Sequence, residues 1–244
     1  KINKIKHGSH GDHWGALFGF ENLNQDPNIV LNRIISIKEG KYADQIDRRY
    51  SIAKESLKDI DIKVILDFEK IGSSFPVMKS NSRIPFEVKV INEWSHVGNI
   101  EAQIDGPGRK TFGLSFFATD YLENRKIYQQ GKELAINLGG FAYVIQESTK
   151  LPDNFSEDFV SYMPTQQTND GSVYDFIGKI IDFREYVFEN IDGFIITTKL
   201  IDDDEMEDFF ILDIFVNRQN LKIENPRKGM KISGCFWLQG NIAL

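Results

Sequence analysis

Three of the four histidines in this 244-residue chain fall in one stretch, HGSHGDHW, at residues 7–14. They are His7, His10 and His13, and Asp12 lies between the last two. Imidazole nitrogens and carboxylate oxygens are ligands that zinc accepts, with a position left for a water molecule that the metal activates. These four residues therefore suggest either a zinc-dependent hydrolytic site or a glycine-spaced polar loop. We expect the polar loop, with no cofactor, and keep zinc as the alternative.

The segment HGDH at residues 10–13 resembles part of the H-x-H-x-D-H signature of the metallo-β-lactamase superfamily. The spacing differs, because His7 lies three residues before His10 where the signature has two. The inventory differs as well, because a dinuclear centre needs further histidines and only His96 follows. The resemblance would imply a metal pair that this chain does not have the ligands to hold.

A second candidate is an acidic run near the C-terminus. The net charge of the chain is −7, and residues 151–244 contain 17 acidic and 8 basic residues. The spaced ligands and the turn glycine of a calcium loop are missing from the run. We expect it to bind a basic protein partner, and the alternative is a solvated hairpin tip. The run consists of Asp202, Asp203, Asp204, Glu205, Glu207 and Asp208.

Aromatic residues form a third candidate group, because single-stranded nucleic acids stack on such side chains. Nucleic-acid binders flank their aromatic residues with lysine and arginine, but the segment GCFWLQG around Phe236 and Trp237 contains neither. We therefore predict that these residues pack in the core, together with Trp94, Phe141 and Tyr143, and that nucleic acid is not a partner.

The remaining sequence features argue against several functional classes. The only cysteine, Cys235, cannot form an internal disulfide, and its apolar surroundings predict an unreactive thiol. There is no G-x-S-x-G elbow, no Walker A motif and no dinucleotide-binding glycine pattern. No apolar run approaches the roughly 18 residues of a membrane span. We expect a cytoplasmic protein that is not an enzyme.

The N-terminal segment, residues 1–86, is predicted to be α+β. The segment WGALFGF at residues 14–20 alternates small and large apolar residues and predicts a strand. Apolar residues then recur every three or four positions, which predicts an amphipathic helix at about 41–58. The residues with this spacing are Tyr42, Ile46, Tyr50, Ala53 and Leu57.

Two later regions, residues 87–146 and 173–244, have similar patterns of strands around a short helix, and residues 147–172 form a linker or long loop. A shift of 98 residues places Phe117 on Phe215 and Gly131 on Gly229. This agreement suggests a duplication. The alternative is the chance likeness of any two β segments.

The order of elements in each region resembles the OB-fold, a five-stranded barrel with a helix after its third strand. We therefore predict a mostly β chain with two tandem OB-like units after the N-terminal segment. The leading functional hypothesis is a cytoplasmic, non-enzymatic protein that binds another protein through its acidic C-terminal unit. The alternatives are a metal-dependent hydrolase and a nucleic-acid-binding OB-like protein.

Overall fold

The computed structural model of the protein describes residues 2–6, 10–40, 42–108, 112–148, 159–203 and 208–243. The prediction of a mostly β chain is confirmed, and most of the strands belong to one large mixed sheet. Within the described ranges the helices are α1 (Gly11–Phe18), α2 (Phe20–Gln25), α3 (Ile29–Gly40) and α4 (Tyr121–Asn124).

The strands of the N-terminal part are β1 (Ile2–Ile5), β2 (Asp44–Gln45), β3 (Tyr50–Leu57), β4 (Ile60–Asp67) and β5 (Lys70–Met78). They are followed by β6 (Ser82–Glu87), β7 (Val90–Trp94), β8 (Ala102–Gly108), β9 (Phe112–Ala118) and β10 (Glu133–Glu147). The C-terminal strands are β11 (Ser161–Pro164), β12 (Val173–Phe188), β13 (Ile191–Asp203), β14 (Asp208–Asn217), β15 (Leu221–Lys222) and β16 (Lys231–Ile242).

The strand predicted at residues 14–20 is wrong, because this segment forms most of α1 and the start of α2. Trp14, Leu17 and Phe18 have the spacing of one helical face, and all three are buried. In the same segment Trp14, Phe18 and Phe20 lie an even number of residues apart, so the short segment fits both periods. Gly19 ends α1 with φ +86°, a backbone conformation that glycine adopts without a steric penalty.

The helix predicted at about 41–58 is also wrong. Residues 50–57 are β3, which forms a hairpin with β4, and the helix of this region is α3 at 29–40. β4 is buried on both faces, so cross-strand pairing and packing outweigh the helical spacing of the apolar residues in β3. Strands β2, β3, β4 and β5 form a separate antiparallel sheet in that order.

The long strands β10 and β16 pair with each other along their length and lie at the centre of the large sheet. β10 also pairs with β6 and, in parallel, with β14. β16 also pairs with β12 and, in parallel, with β9. Two separate tandem OB-like units are therefore not confirmed, because both central strands pair with strands from each half of the chain.

The buried apolar residues form two clusters. One is built entirely from residues between Ile84 and Ile242, within the large sheet and the segments that connect its strands. The other joins α1, α3, the four-stranded sheet and part of the large sheet, and it includes Trp14, Trp94 and Trp237. The packing predicted for these two strand tryptophans, Trp94 and Trp237, is confirmed, since each is at most 1% exposed.

No helix among the described residues combines the length and the apolar character needed to cross a lipid bilayer.

Candidate functional site

The start of α1 places two of the predicted histidines side by side. His10 immediately precedes the helix and His13 lies three residues later, so both side chains lie on the same face. Their Nδ1 atoms are 2.7 Å apart, the distance of a hydrogen bond. Both residues are buried, His10 with 9% and His13 with 4% of its surface exposed.

The other ring nitrogen of His10 contacts a carboxylate from the large sheet. Nε2 of His10 lies 3.0 Å from Oε2 of Glu101, which directly precedes β8. Glu101 is 1% exposed, and its Oε1 has no hydrogen-bond partner among the described residues. The backbone N–H of Trp94 donates to the carbonyl of Glu101 at 2.9 Å, which fixes this glutamate at the end of the β7–β8 hairpin.

His10 lies in an aromatic environment. Its ring centroid is 5.2 Å from those of Trp94 and Phe117, 5.3 Å from that of Phe75 and 5.8 Å from that of Trp237. These apolar walls keep water away from the imidazole, so its contacts with Glu101 and His13 are stronger than they would be in solvent.

His13 stacks on Trp237, with ring centroids 3.5 Å apart and an interplanar angle of 4°. Its Nε2 lies 3.8 Å from Oδ2 of Asp170, which is longer than a hydrogen bond. Asp170 is 8% exposed, and its Oδ1 accepts a 2.9 Å hydrogen bond from the backbone N–H of Ser172. The four side chains therefore form a row in the order Glu101, His10, His13, Asp170.

The hydrogen bond between the two Nδ1 atoms holds one proton, so one ring donates and the other accepts. An ionised Glu101 only accepts, and a neutral His10 therefore carries its proton on Nε2 and accepts at Nδ1. In that arrangement His13 donates from Nδ1, and its Nε2 presents a lone pair towards Asp170. A proton taken up at this Nε2 places positive charge on the histidine pair, between the two carboxylates.

A cavity of about 710 Å³ opens beside His13. This volume is in the range of small-molecule sites. The polar part of its wall is formed by Lys6, Asp12, His13, Tyr143, Thr165, Gln167, Thr168, Asn169 and Asp170. The apolar part is formed by Phe20, Trp94, Val144, Val173 and Cys235. Residues 165–170, in the predicted linker, thus form one side of the cavity.

Two titratable groups in the wall of the cavity keep their protons at neutral pH. Burial, followed by the Asp170 carboxylate, raises the pKa of Tyr143 well above its usual range, so the phenol remains a hydrogen-bond donor. Burial and the neighbouring Asp175 raise the pKa of Cys235 to about 12. A thiol in this state is a poor nucleophile.

The structure brings together two of the four residues predicted to bind zinc. His10 and His13 contact each other, Asp12 lines the cavity from the first turn of α1, and His7 lies outside the described residues. No group of three or more His, Cys, Asp or Glu side chains that could hold a metal ion occurs in the described part of the chain. A zinc site that includes His7 remains a prediction.

The acidic run is largely outside the described part of the protein. Asp204, Glu205 and Glu207 lie outside the described residues, as do the side chains of Asp202, Asp203 and Asp208. The backbones of Asp202, Asp203 and Asp208 belong to the β13–β14 pair. The predicted interaction with a basic partner remains a prediction.

Glu101 and Asp170 were not identified from the sequence. A weak signal exists for Glu101, because the segment NIEAQI alternates and places Glu101 and Gln103 on one face of the strand. Both are buried, which marks a polar patch facing the interior. For Asp170 the segment NDGS indicates a turn but gives no reason to expect a histidine nearby.

No family model matches the chain, and comparison with curated proteins and with solved structures gives no match. A functional proposal for this protein therefore has to rest on the geometry of its own site.

Proposed function

We propose that the protein binds a small molecule in the cavity beside His13 and acts on it by acid–base chemistry at Nε2 of that residue. The observation that carries the proposal is the buried row from Glu101 through His10 and His13 to Asp170. A general base needs a lone pair at the substrate and a group behind it that stabilises the positive charge. Here Nε2 of His13 supplies the lone pair, and His10 with Glu101 stabilises the positive charge.

The environment of His13 supports this role. Trp237 stacks against its imidazole and fixes the plane of the ring, and Asp170 is positioned to stabilise the protonated form. His10 and Glu101 are positioning residues, since they are buried behind His13 and the cavity wall does not include them. Removing the base alone is expected to lower the rate of a proton-transfer step by about 10²–10⁴.

The proposal is tested by NMR spectroscopy of the protein with ¹⁵N-labelled histidine, since the nitrogen shifts report which ring nitrogen carries a proton. We expect a protonated Nε2 in His10, an unprotonated Nε2 in His13, and one proton that correlates with the two Nδ1 atoms. A His13→Gln variant assigns the signals, and His96, which is exposed and stacks on Trp94, gives the reference for an imidazole in contact with solvent. A proton on Nε2 of His13 at neutral pH, together with no shared Nδ1 proton, would refute the proposal.

We further propose that residues 82–147 and 174–242, here called the first and second repeats, arose by duplication. The register of the parallel pairs supports this. Phe117 pairs with Gln239, and Phe215 pairs with Phe141, so both partners are related by the same 98-residue shift, in opposite directions. The central β10–β16 ladder is consistent with this exchange of partners.

Two local features support the same relation. Gly131 and Gly229 both have positive φ, +79° and +82°, and each precedes the last long strand of its repeat. The N–H of Gly131 donates to Val88 at 2.7 Å, and that of Gly229 donates to Ile180 at 2.8 Å. Val88 separates β6 from β7, and Ile180 lies at the bulge of β12. The two acceptors are 92 residues apart, so the second repeat has six more residues between acceptor and glycine than the first.

The OB-like part of the prediction becomes a proposal in which the two units share strands. Strands β6, β8, β9, β16 and β10 pair in succession, and β10 pairs with β6 to complete the circuit. The second circuit runs through β12, β13, β14, β10 and β16. Each circuit has five strands, as in an OB-fold, and each borrows its fifth strand from the other repeat.

A further inference from the structure

We infer that the ligand of the cavity beside His13 is a small organic cation, an ammonium or guanidinium compound, with Asp170 as its counter-ion. This inference rests on the proposed function, because it concerns the same cavity. It adds the chemical class of the ligand, and its test is independent of the protonation state of the histidines.

The charge of the cavity wall favours a cation. Asp170 is 8% exposed and lies in the wall, with one oxygen bonded to Ser172 and the other 3.8 Å from Nε2 of His13. A carboxylate with so little contact to water is stabilised by a positive partner. A ligand ammonium or guanidinium group beside Oδ2 supplies that partner, and Nε2 of His13 can accept a second hydrogen bond from the same group.

The other charged residues of the wall add to this preference. Asp12 provides a second carboxylate, exposed at the first turn of α1, and the described residues of the wall include one lysine, Lys6, and no arginine. Phosphate and carboxylate ligands are bound by clusters of arginine and lysine or by helix N-termini free of acidic groups. Two carboxylates against one lysine disfavour such anions.

Aromatic rings in the wall complete the chemical match. Tyr143 lies next to His13, with ring centroids 6.3 Å apart and an interplanar angle of 22°, and Phe20 lies 6.4 Å from Tyr143. Cations are attracted to the faces of such rings by the ring quadrupole. An acidic group beside aromatic rings is the combination that recognises a protonated amine.

Isothermal titration calorimetry with the full chain tests this inference. The cationic probes are agmatine, putrescine and tetramethylammonium. The controls are 1,4-butanediol, which matches putrescine without charge, glucose, and inorganic phosphate. We expect agmatine or putrescine to bind and butanediol not to bind. Asp170→Asn should weaken cation binding at least tenfold, and the exposed Asp12→Asn about two- to threefold.

Asp182→Asn is the matched control, because Asp182 is an exposed carboxylate far from the cavity wall, paired with Lys228. It should leave the affinity unchanged. The inference is overturned if no cation binds at millimolar concentration, if glucose or phosphate binds in their place, or if Asp182→Asn and Asp170→Asn weaken binding equally.

The two proposals fail in different ways. If the NMR spectra show the shared Nδ1 proton but cations do not bind, the ligand class is wrong and the acid–base role stands. If cations bind but Nε2 of His13 is protonated at neutral pH, the cavity is a cation site and the acid–base role is wrong.

Discussion

The two proposed repeats differ most where the first carries its candidate site. Trp94 and Glu101 end the β7–β8 hairpin of the first repeat, and in the second repeat the cross-strand pair that lies 92 residues later, by the shift that relates Val88 to Ile180, is Tyr186 and Gly193. Both aromatic residues pack on a phenylalanine of their own repeat. The ring centroids of Trp94 and Phe117 are 5.2 Å apart, and those of Tyr186 and Phe215 are 5.3 Å apart. The two hairpins therefore place their aromatic residues alike, and only in the first does the paired residue carry a carboxylate, that of Glu101.

The neighbours of these two hairpins explain the difference. In the first repeat Glu101 points to His10 of α1. In the second, Gly193 leaves no space for a side chain, and the hydroxyl of Tyr186 donates to the carbonyl of Leu57 in the four-stranded sheet. At these two hairpins the N-terminal segment thus contributes different contacts, the histidine that precedes α1 at the first and the end of β3 at the second.

The stacking partner of His13 shows the same asymmetry. Trp237 in the second repeat corresponds to Gly139 in the first. Gly139 has no side chain, and Met78 from β5 occupies the space beside it. Trp94, Glu101 and Trp237 contact the histidines. Their counterparts Tyr186, Gly193 and Gly139 allow apolar packing instead. If the two regions arose by duplication, the candidate site lies where the repeats differ, and each of these differences can be tested.

The largest effect is expected for Gly193→Ala. A Cβ at this position would lie 2.2 Å from the carbonyl oxygen of Val216, a backbone atom that cannot move aside without disturbing β14. We expect the free energy of unfolding to fall by about 3 kcal/mol, as in an overpacked core. Urea denaturation measures the loss. In Gly113→Ala, on β9, the new methyl group would meet no atom within 4 Å, and we expect a change within about 0.5 kcal/mol.

If Gly193→Ala and Gly113→Ala have equal effects, the second hairpin has room for a side chain. The contrast with Glu101 would then have a cause other than close backbone packing.

A loss of about 2 kcal/mol is expected for Glu101→Leu. The change leaves the buried Nε2–H of His10 without its acceptor, which costs about 1–3 kcal/mol. Glu101→Gln keeps an oxygen acceptor at the same distance along the side chain and should lose less than half as much. Thermal and urea unfolding of the two variants give the comparison. Equal losses would mean that packing, and not the hydrogen bond, determines the role of this residue.

The sequence showed that His10 and His13 lie close together in the chain, but it predicted a polar loop there, with zinc as the alternative, and neither a helix nor a contact between the two rings. The segment that follows, residues 14–20, was predicted as a strand from its mixture of small and large apolar residues. In a segment of seven residues the two periods cannot be separated, and only the burial of one face of α1 distinguishes them.

The acidic partners could not be predicted from the sequence because they come from distant segments. Glu101 is 91 residues from His10 in the chain, and Asp170 is farther still. Only the packing of α1 against the large sheet brings them together. The proposed 98-residue repeat was suggested by Phe117 and Gly131, but the pairing of the central strands across the two regions depends on which β ladders form and has no local signal.

A smaller effect, about 1 kcal/mol, is expected for Gly139→Ala. A Cβ there would lie 2.8 Å from Cγ of Met78, a flexible side chain that can rotate away. In a Met78→Ala background the same substitution should cost less, because the nearest atom, Cγ of Met78, is gone, although Cβ of position 78 and Cβ of Ser80 remain 3.1 Å and 3.2 Å away. The double-mutant cycle therefore yields a coupling energy. Additive losses would show that Met78 does not fill the space that Trp237 occupies in the other repeat.

The smallest effect concerns Cys235, which lines the cavity, whereas its counterpart Asn137 lies on β10 away from it. The pKa of this thiol is raised to about 12 in the folded chain, so the thiol ionises first in the unfolded chain, above about pH 8.5. A raised folded-state pKa contributes stability that is present at lower pH and is lost as the pH rises towards 12. Between pH 7.5 and 9.5 the wild type should lose roughly 0.5–1 kcal/mol more than Cys235→Ala, measured by urea denaturation. Identical losses would indicate that the folded protein ionises this thiol as readily as the unfolded chain, and that the cavity contains a reactive thiolate in addition to its histidine.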